Sequence, residues 1–163
     1  MKSRSELGKL YQAHHKTGYG AEIGVKEGWN SKNISKYWTG HTYLIDVWPD
    51  ADLERMQVLI NMHGYLYSII QYDSVRASRL FDQAHLDWVY IDGGHEYEQV
   101  KADHWAYYHV VRKGGIISGH DYSPDFPGVC RMVDELIAEG HEIQFTTDDI
   151  YNGIPYQTWW YVR

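Results

Sequence analysis

Residues 86–122 read LDWVYIDGGHEYEQVKADHWAYYHVVRKGGIISGHDY, and this stretch decides the fold. Leu86 to Ile91 is a nearly continuous apolar run, the pattern of a strand covered on both faces. Asp92-Gly93-Gly94 ends it. Tyr97 to Val111 reads as a helix, Lys113-Gly114-Gly115 as a turn, and Ile116-Ile117-Ser118 as the next strand. The same alternation extends in both directions. Upstream, strands at 21–25, 41–48 and 65–72 are each followed by a helical period, at 30–38, 50–63 and 74–81. Asn30 or Ser31 is the expected cap of the first of these helices, and Gly40 its stop. Downstream comes a helix at 129–138, then strands at 142–147 and 158–162 joined through Asn152-Gly153-Ile154-Pro155. Five strand–helix alternations and a terminal strand pair predict an α/β, Rossmann-like, doubly wound fold. It is a mostly parallel, seven-stranded sheet with an antiparallel C-terminal strand at its edge and helices on both faces. Residues 1–163 form a single domain, with 1–19 an N-terminal segment of weak helical period.

Composition narrows the function. Fifteen basic against 22 acidic side chains leave a charge of −7, and the basic residues are scattered, which argues against nucleic acid and anionic membrane as partners. No apolar stretch is long enough to span a bilayer. The start, Met-Lys-Ser-Arg-Ser-Glu, is not a secretory signal, so the cytoplasm is the expected location. The single cysteine, Cys130, fits a reducing compartment and reads as core. Trp159, Trp160 and Tyr161 crowd the last strand, and the segments over the expected site (1–19, 123–129 and 148–156) are short. A second copy could cover either surface, so a homodimer is expected, unless the three aromatics pack internally.

In doubly wound sheets ligands bind beyond the carboxyl ends of the strands, so the polar residues there are the candidates. The first strand ends Glu22-Ile23-Gly24-Val25-Lys26-Glu27-Gly28, in which Gly24 allows a tight turn and Gly28 a close helix start. Lys26 stands where a dinucleotide fingerprint needs a second glycine, which disfavours a nicotinamide cofactor. Asp46 follows Gly24 at the spacing of a ribose-hydroxyl acceptor, although a turn aspartate would look the same. Asp73-Ser74 end the third strand. Asp92 and His95 follow the fourth, and His120-Asp121 the fifth. Two carboxylates and two imidazoles there could converge to bind a divalent metal or to take a proton. The other histidines lack ligand spacing and read as surface or packing.

The segments AEIGVKEG (21–28), LDWVYIDGGHEYEQVK (86–101) and GGIISGHDYSPDFPGVCRMVD (114–134) resemble S-adenosylmethionine-dependent methyltransferases of the Rossmann-like class. The likeness is to the group with I-D-G-x-H-x-Y after strand four and G-H-D-Y after strand five, related to small-molecule and sugar O-methyltransferases. The resemblance implies that Glu22 and Gly24 contact the methionine part of the cofactor, with Gly28 also counted among the cofactor-binding residues. It implies that Asp46 holds the ribose hydroxyls and that Asp73 and Ser74 lie by the adenine, with Asp92 also counted among the cofactor-binding residues. Matched by position, Asp92, His120 and Asp121 would hold a divalent ion such as Mg2+, and His95 and His120 are the catalytic candidates. Relatives often carry an acid where this chain has Gly94, and an oxygen ligand where it has His120. The Pro-Pro-Tyr signature of enzymes that methylate amino groups of nucleic acids is absent. The expected activity is methyl transfer to a hydroxyl of a small molecule or sugar. The alternative is a catalytically degenerate binding module that acts with a partner chain.

Overall fold

The computed structural model describes residues 1–15, 17–48 and 52–163. The seven-stranded sheet has the order β3-β2-β1-β4-β5-β9-β6. Its strands are β1 (Tyr19–Ile23), β2 (His41–Asp46), β3 (Tyr67–Gln71), β4 (Leu86–Ile91), β5 (Val111–Tyr122), β6 (Gln144–Phe145) and β9 (Gln157–Val162). The first five pair in parallel, and the order reverses at the β1–β4 pair, the place where such sheets open a crevice. Between β6 and β9, β7 (Ile150–Tyr151) and β8 (Ile154–Pro155) form a separate hairpin.

Two-residue periodicity divides the core. Ala21, Ile23, Val89, Ile91, Ile117, Trp159 and Tyr161 point to the face covered by α5 (Tyr97–Tyr108) and α6 (Pro127–Ala138). Trp88, Tyr90, Ile116 and Trp160 point to the other, where α1 (Leu7–His14) and α2 (Trp29–Ser35) supply Leu7, Tyr11 and Ile34. The β9 aromatics are at most 5% exposed. They therefore pack internally and leave no aromatic surface on β9 for a second copy. On the same side as α2, α3 (Asp52–Asn61) packs Val58 against Leu44 and Trp48; the expected helix start at Asp50 lies outside the described residues.

Three expectations change. The antiparallel strand is not the edge: β9 inserts between β5 and β6 and pairs with both, because its alternating aromatics need cover on both faces. Lys113-Gly114-Gly115 is an irregularity inside β5 rather than a turn before it. Leu86 already pairs with Val111, the register shifts before Trp88, and Gly114 takes up the distortion at φ +77°. Finally, α2 ends at Ser35, well short of Gly40, and neither Asn30 nor Ser31 caps it; Gly28, left-handed at φ +78°, holds the N-cap position.

The N-terminal segment is bound to the sheet. Tyr11 stacks on Trp88 at 4.2 Å between ring centres, Trp88 lies over Gly20 where a Cβ would collide with it, and the Tyr11 hydroxyl meets Ser118 Oγ at 2.7 Å. This docking brings residues 2–6 to the strand ends. Among the described residues no helix is long and apolar enough to cross a membrane.

Candidate functional site

The carboxyl ends of β1 and β4 meet through glycine. Gly24, at φ +80°, lies so close to the next strand that a Cβ would stand 2.1 Å from the Asp92 carbonyl oxygen. This close approach opens a cleft of about 280 Å3 between Gly24, Lys26, Asp46, Asp73, Ser74 and Asp92. Asp46 is held by two turn amides: Lys26 N–H donates to Oδ2 at 2.8 Å and Trp48 N–H to Oδ1 at 3.2 Å. A carboxylate has about four acceptor positions, so a fixed acceptor still faces the cleft, suited to a vicinal diol. Asp73 caps α4 (Ser74–Ala77) by accepting from Arg76 N–H. Of the expected cofactor residues, Gly28 lies outside the lining of this cleft; it sets the start of α2 instead.

Glu22 belongs to an adjoining cleft of about 370 Å3, together with Arg4, Gly24, Asn30, Asp92 and His95. The side chains expected to cap α2 turn to it: Asn30 Nδ2 donates at 2.9 Å, and Ser31 Oγ also donates. Burial outweighs these bonds and pushes the Glu22 carboxyl up to about 7. A cation docking there would favour its ionised form.

Four expected residues, Asp92 and His95 after β4 and His120 and Asp121 in the last residues of β5, form one chain of contacts. His95 Nε2 meets Asp121 Oδ2 at 2.9 Å, Asp121 Oδ1 meets His120 Nδ1 at 2.7 Å, and His120 Nδ1 lies 3.8 Å from Asp92 Oδ1. The His95 ring stacks on Phe126, centres 4.0 Å apart. Asp121 adopts φ +59°, uncommon outside glycine, and this turn aims its two oxygens at the two imidazoles. Burial raises the Asp92 carboxyl despite His120 and Arg4 nearby. In Asp121 burial acts upward too, but the bonds from His120 and His95 prevail and hold it low. Ligand atoms of Asp92, His120 and Asp121 all lie within 4.8 Å of one another. Two carboxylate oxygens and an imidazole nitrogen at that spacing suit a divalent cation.

The three covering segments are tied together above this chain. Arg4 N–H donates to both oxygens of Asp149, at 3.2 and 2.9 Å, while its guanidinium holds Asp92 Oδ2 at 3.2 Å. The Tyr156 hydroxyl donates to Asp125, and its ring meets Phe126 edge-on. Between them Arg4, His120, Asp149, Ile150, Tyr151 and Tyr156 line a third cleft, of about 430 Å3. It borders His120, which the Asp46 cleft does not.

Sequence reasoning missed Arg4, Asp149, Tyr156, Gln99 and Asp103. For Asp103 a signal existed, because it lies at helical spacing with Val100, His104 and Tyr107 on a buried stripe, where an acid is out of place. Gln99 accounts for Gly94: its amide folds to within 1.9 Å of where a Cβ at 94 would stand, so an acid there would displace it. The remaining histidines behave as packing where buried, His104 bonding the Tyr161 hydroxyl at 2.7 Å. Cys130 is half-buried rather than core, its thiol donating to the Ser123 carbonyl at 3.1 Å.

Comparison with known proteins places the fold. Residues 21–122 match the family described as a methyltransferase domain. Among solved structures, an O-methyltransferase from Bacillus cereus in complex with SAH aligns with a TM-score of 0.72 at 15% identity, over 98% of this chain and 80% of that one. The N-methyltransferase NodS from Bradyrhizobium japonicum, in complex with S-adenosyl-l-homocysteine, aligns at 0.69 and 15%, over 98% and 85%. An rRNA methylase from Streptococcus thermophilus aligns at 0.73 and 10%, over 96% and 93%. At these identities the likeness is one of fold. No protein among curated sequences matches this one. The family match spans both glycine-lined strand ends and the whole acid–imidazole chain, and on that ground the protein belongs to the methyltransferase-domain family.

Proposed function

We propose that this chain transfers a methyl group from S-adenosylmethionine to a hydroxyl of a small molecule or sugar. The observation that carries the reading is the position of the Asp92–His120–Asp121–His95 chain. Asp92 borders the Asp46 cleft and His120 borders the Tyr151–Tyr156 cleft, so the chain stands where a donor in one would meet an acceptor in the other. The cofactor supplies a methyl carbon on a sulfonium, open to in-line displacement by an oxygen nucleophile. The protein must then bind, align and remove one proton.

Its residues divide those tasks. Asp46 would accept from the ribose hydroxyls, and Glu22 from the cationic amino group of the methionine part. His95 would take the acceptor's proton. Its Nε2 is tied to Asp121 and its ring is held by Phe126, which leaves Nδ1 to act as the base. Asp92, His120 and Asp121 would hold a divalent ion, whose bound charge lowers the pKa of a hydroxyl beside it. The two carboxylates suit Mg2+ or Mn2+, and the imidazole adds a nitrogen donor to them.

A panel of phenolic and sugar acceptors with methyl-labelled cofactor tests the reading, run with Mn2+, with Mg2+ and with a strong chelator. Label on an acceptor oxygen supports it. Label on nitrogen overturns the hydroxyl assignment, and full activity in chelator overturns the metal role. Tight S-adenosylhomocysteine binding without turnover on any acceptor favours the binding module that needs a partner chain.

A further inference from the structure

Arg4 sets a cation against the acid–imidazole chain. Its guanidinium holds Asp92 Oδ2 at 3.2 Å, while Asp92 Oδ1 faces His120 Nδ1 at 3.8 Å. The side chains of Asp92 and Asp121 are only 17% and 13% exposed, so two carboxylates share a nearly dry site. Among the described residues no other Lys or Arg pairs with either of them, and a buried carboxylate without a counter-charge is costly. Arg4 is also the one described residue common to the linings of the Glu22 cleft and the Tyr151–Tyr156 cleft. Its side chain is the partition between them. The backbone here is anchored separately: Arg4 N–H donates to Asp149, and the Lys2 carbonyl accepts from Thr147 N–H and Asp148 N–H. With 39% of its side chain exposed, the guanidinium can turn out to solvent while the segment stays pinned.

A guanidinium carries donors only, so it cannot enter the coordination shell of a metal, and it does not give up its charge. A divalent ion on Asp92, His120 and Asp121 would share a carboxylate with it. At a separation of roughly 6 Å the two positive groups repel by more than one charged hydrogen bond returns, even with the screening of a protein surface. We propose that Arg4 and the divalent ion exclude one another at Asp92, so that binding the ion expels the guanidinium and joins the donor side of the site to the acceptor side. The inference rests on the metal role proposed above and adds its regulation. Without the ion, Arg4 neutralises Asp92 and keeps the two clefts apart; with it, the partition is withdrawn. The coupling is reciprocal: Arg4 weakens the ion's binding by the same factor as the ion weakens the hold of Asp92 on Arg4.

The test is titration calorimetry of Mn2+ alone on the parent, Arg4→Gln and Lys2→Gln. Beside it, the parent is labelled with phenylglyoxal at rising Mn2+ and the label at Arg4 is read by peptide mass mapping. Arg4→Gln should bind Mn2+ about 5- to 150-fold more tightly than the parent, the usual span of a coupling between two sites. Lys2→Gln removes an exposed charge from the same segment and should stay within about twofold, because solvent screens it. Mn2+ should speed the labelling of Arg4. Equal or weaker Mn2+ binding by Arg4→Gln overturns the inference and spares the metal role, since Arg4 would then orient Asp92 beside a bound ion. A gain as large in Lys2→Gln overturns it too, as net charge would explain both. So does labelling of Arg4 that Mn2+ slows or leaves unchanged. If Arg4→Gln does not fold, the labelling of the parent decides alone. A parent and an Arg4→Gln protein that both fail to bind Mn2+ overturn the metal role and the inference together.

Discussion

Glu22→Gln should make the protein more stable at alkaline pH and alter it little in mild acid. Glu22 is 1% exposed, and burial raises its carboxyl from 4.5 to about 7 against the bonds from Ser31 and Asn30. A folded value above the unfolded one means the native state binds more protons. Stability is then greatest below the unfolded value and falls as pH rises towards the folded value. Integrated over that window the loss is roughly 3 kcal/mol, at about 1.4 kcal/mol per pH unit. Between about pH 5 and pH 8 it is roughly 2–3 kcal/mol, or about 5–10 °C in Tm for a domain of this size. Gln is neutral, its Oε1 can still accept from Asn30, and its amide can donate to Ser31. Asp103, whose carboxyl burial also raises, contributes equally to both proteins and cancels in the difference. Thermal melts without ligand across that range should show the variant gaining on the parent as pH rises. Parallel curves, or a variant less stable at pH 8, would refute the assignment of a buried carboxylate with a raised pKa at the head of the cleft. With S-adenosylhomocysteine present at neutral pH the parent should gain more than the variant, because a bound ammonium relieves the charge only Glu22 carries.

Asp46→Ala should weaken S-adenosylhomocysteine binding by about 1–3 kcal/mol in calorimetry, the cost of a lost charged acceptor; undiminished affinity would leave Asp46 a turn residue. Gly24→Ala should destabilise by about 2–4 kcal/mol in urea melts, since strain adds to a backbone collision with Asp92. Gly64→Ala, at φ +87° with nothing within 4 Å, carries the strain alone and should cost about 1 kcal/mol. A Gly24→Ala protein no worse than Gly64→Ala would show that the β1–β4 approach is loose. Once an acceptor is found, His95→Ala should lower turnover by about two to four orders of magnitude with cofactor affinity unchanged. Near-parental turnover would move the base to His120 or Asp92.

The architecture was legible in the sequence because its signals are local. The continuous apolar run of β4, the glycines after β1 and β4, and the helical periods between the strands are set by neighbours within a few residues. The polar strand ends followed, since a parallel sheet places every carboxyl end on one edge. Asp92, His95, His120 and Asp121 could thus be named together although 29 positions separate the first from the last. Local signals fail where pairing is distant. Residue 4 bonds residue 149 and residue 92, a juxtaposition that exists only because Tyr11 seats α1 on Trp88. That β9 enters the sheet between β5 and β6 depends on which slot can bury Trp159 and Tyr161 on one face and Trp160 on the other. Asn30 and Ser31 read as caps until the fold placed the buried Glu22 beside them, a stronger demand than a helix end in water. Asp103 looked like an acid on a helix, and packing alone set it in the lining of the cleft. Sequence determined which residues stand at the edge of the sheet; only the tertiary structure decided what they face, because hydrogen bonds and charge pairs depend on distances that chain neighbours do not set.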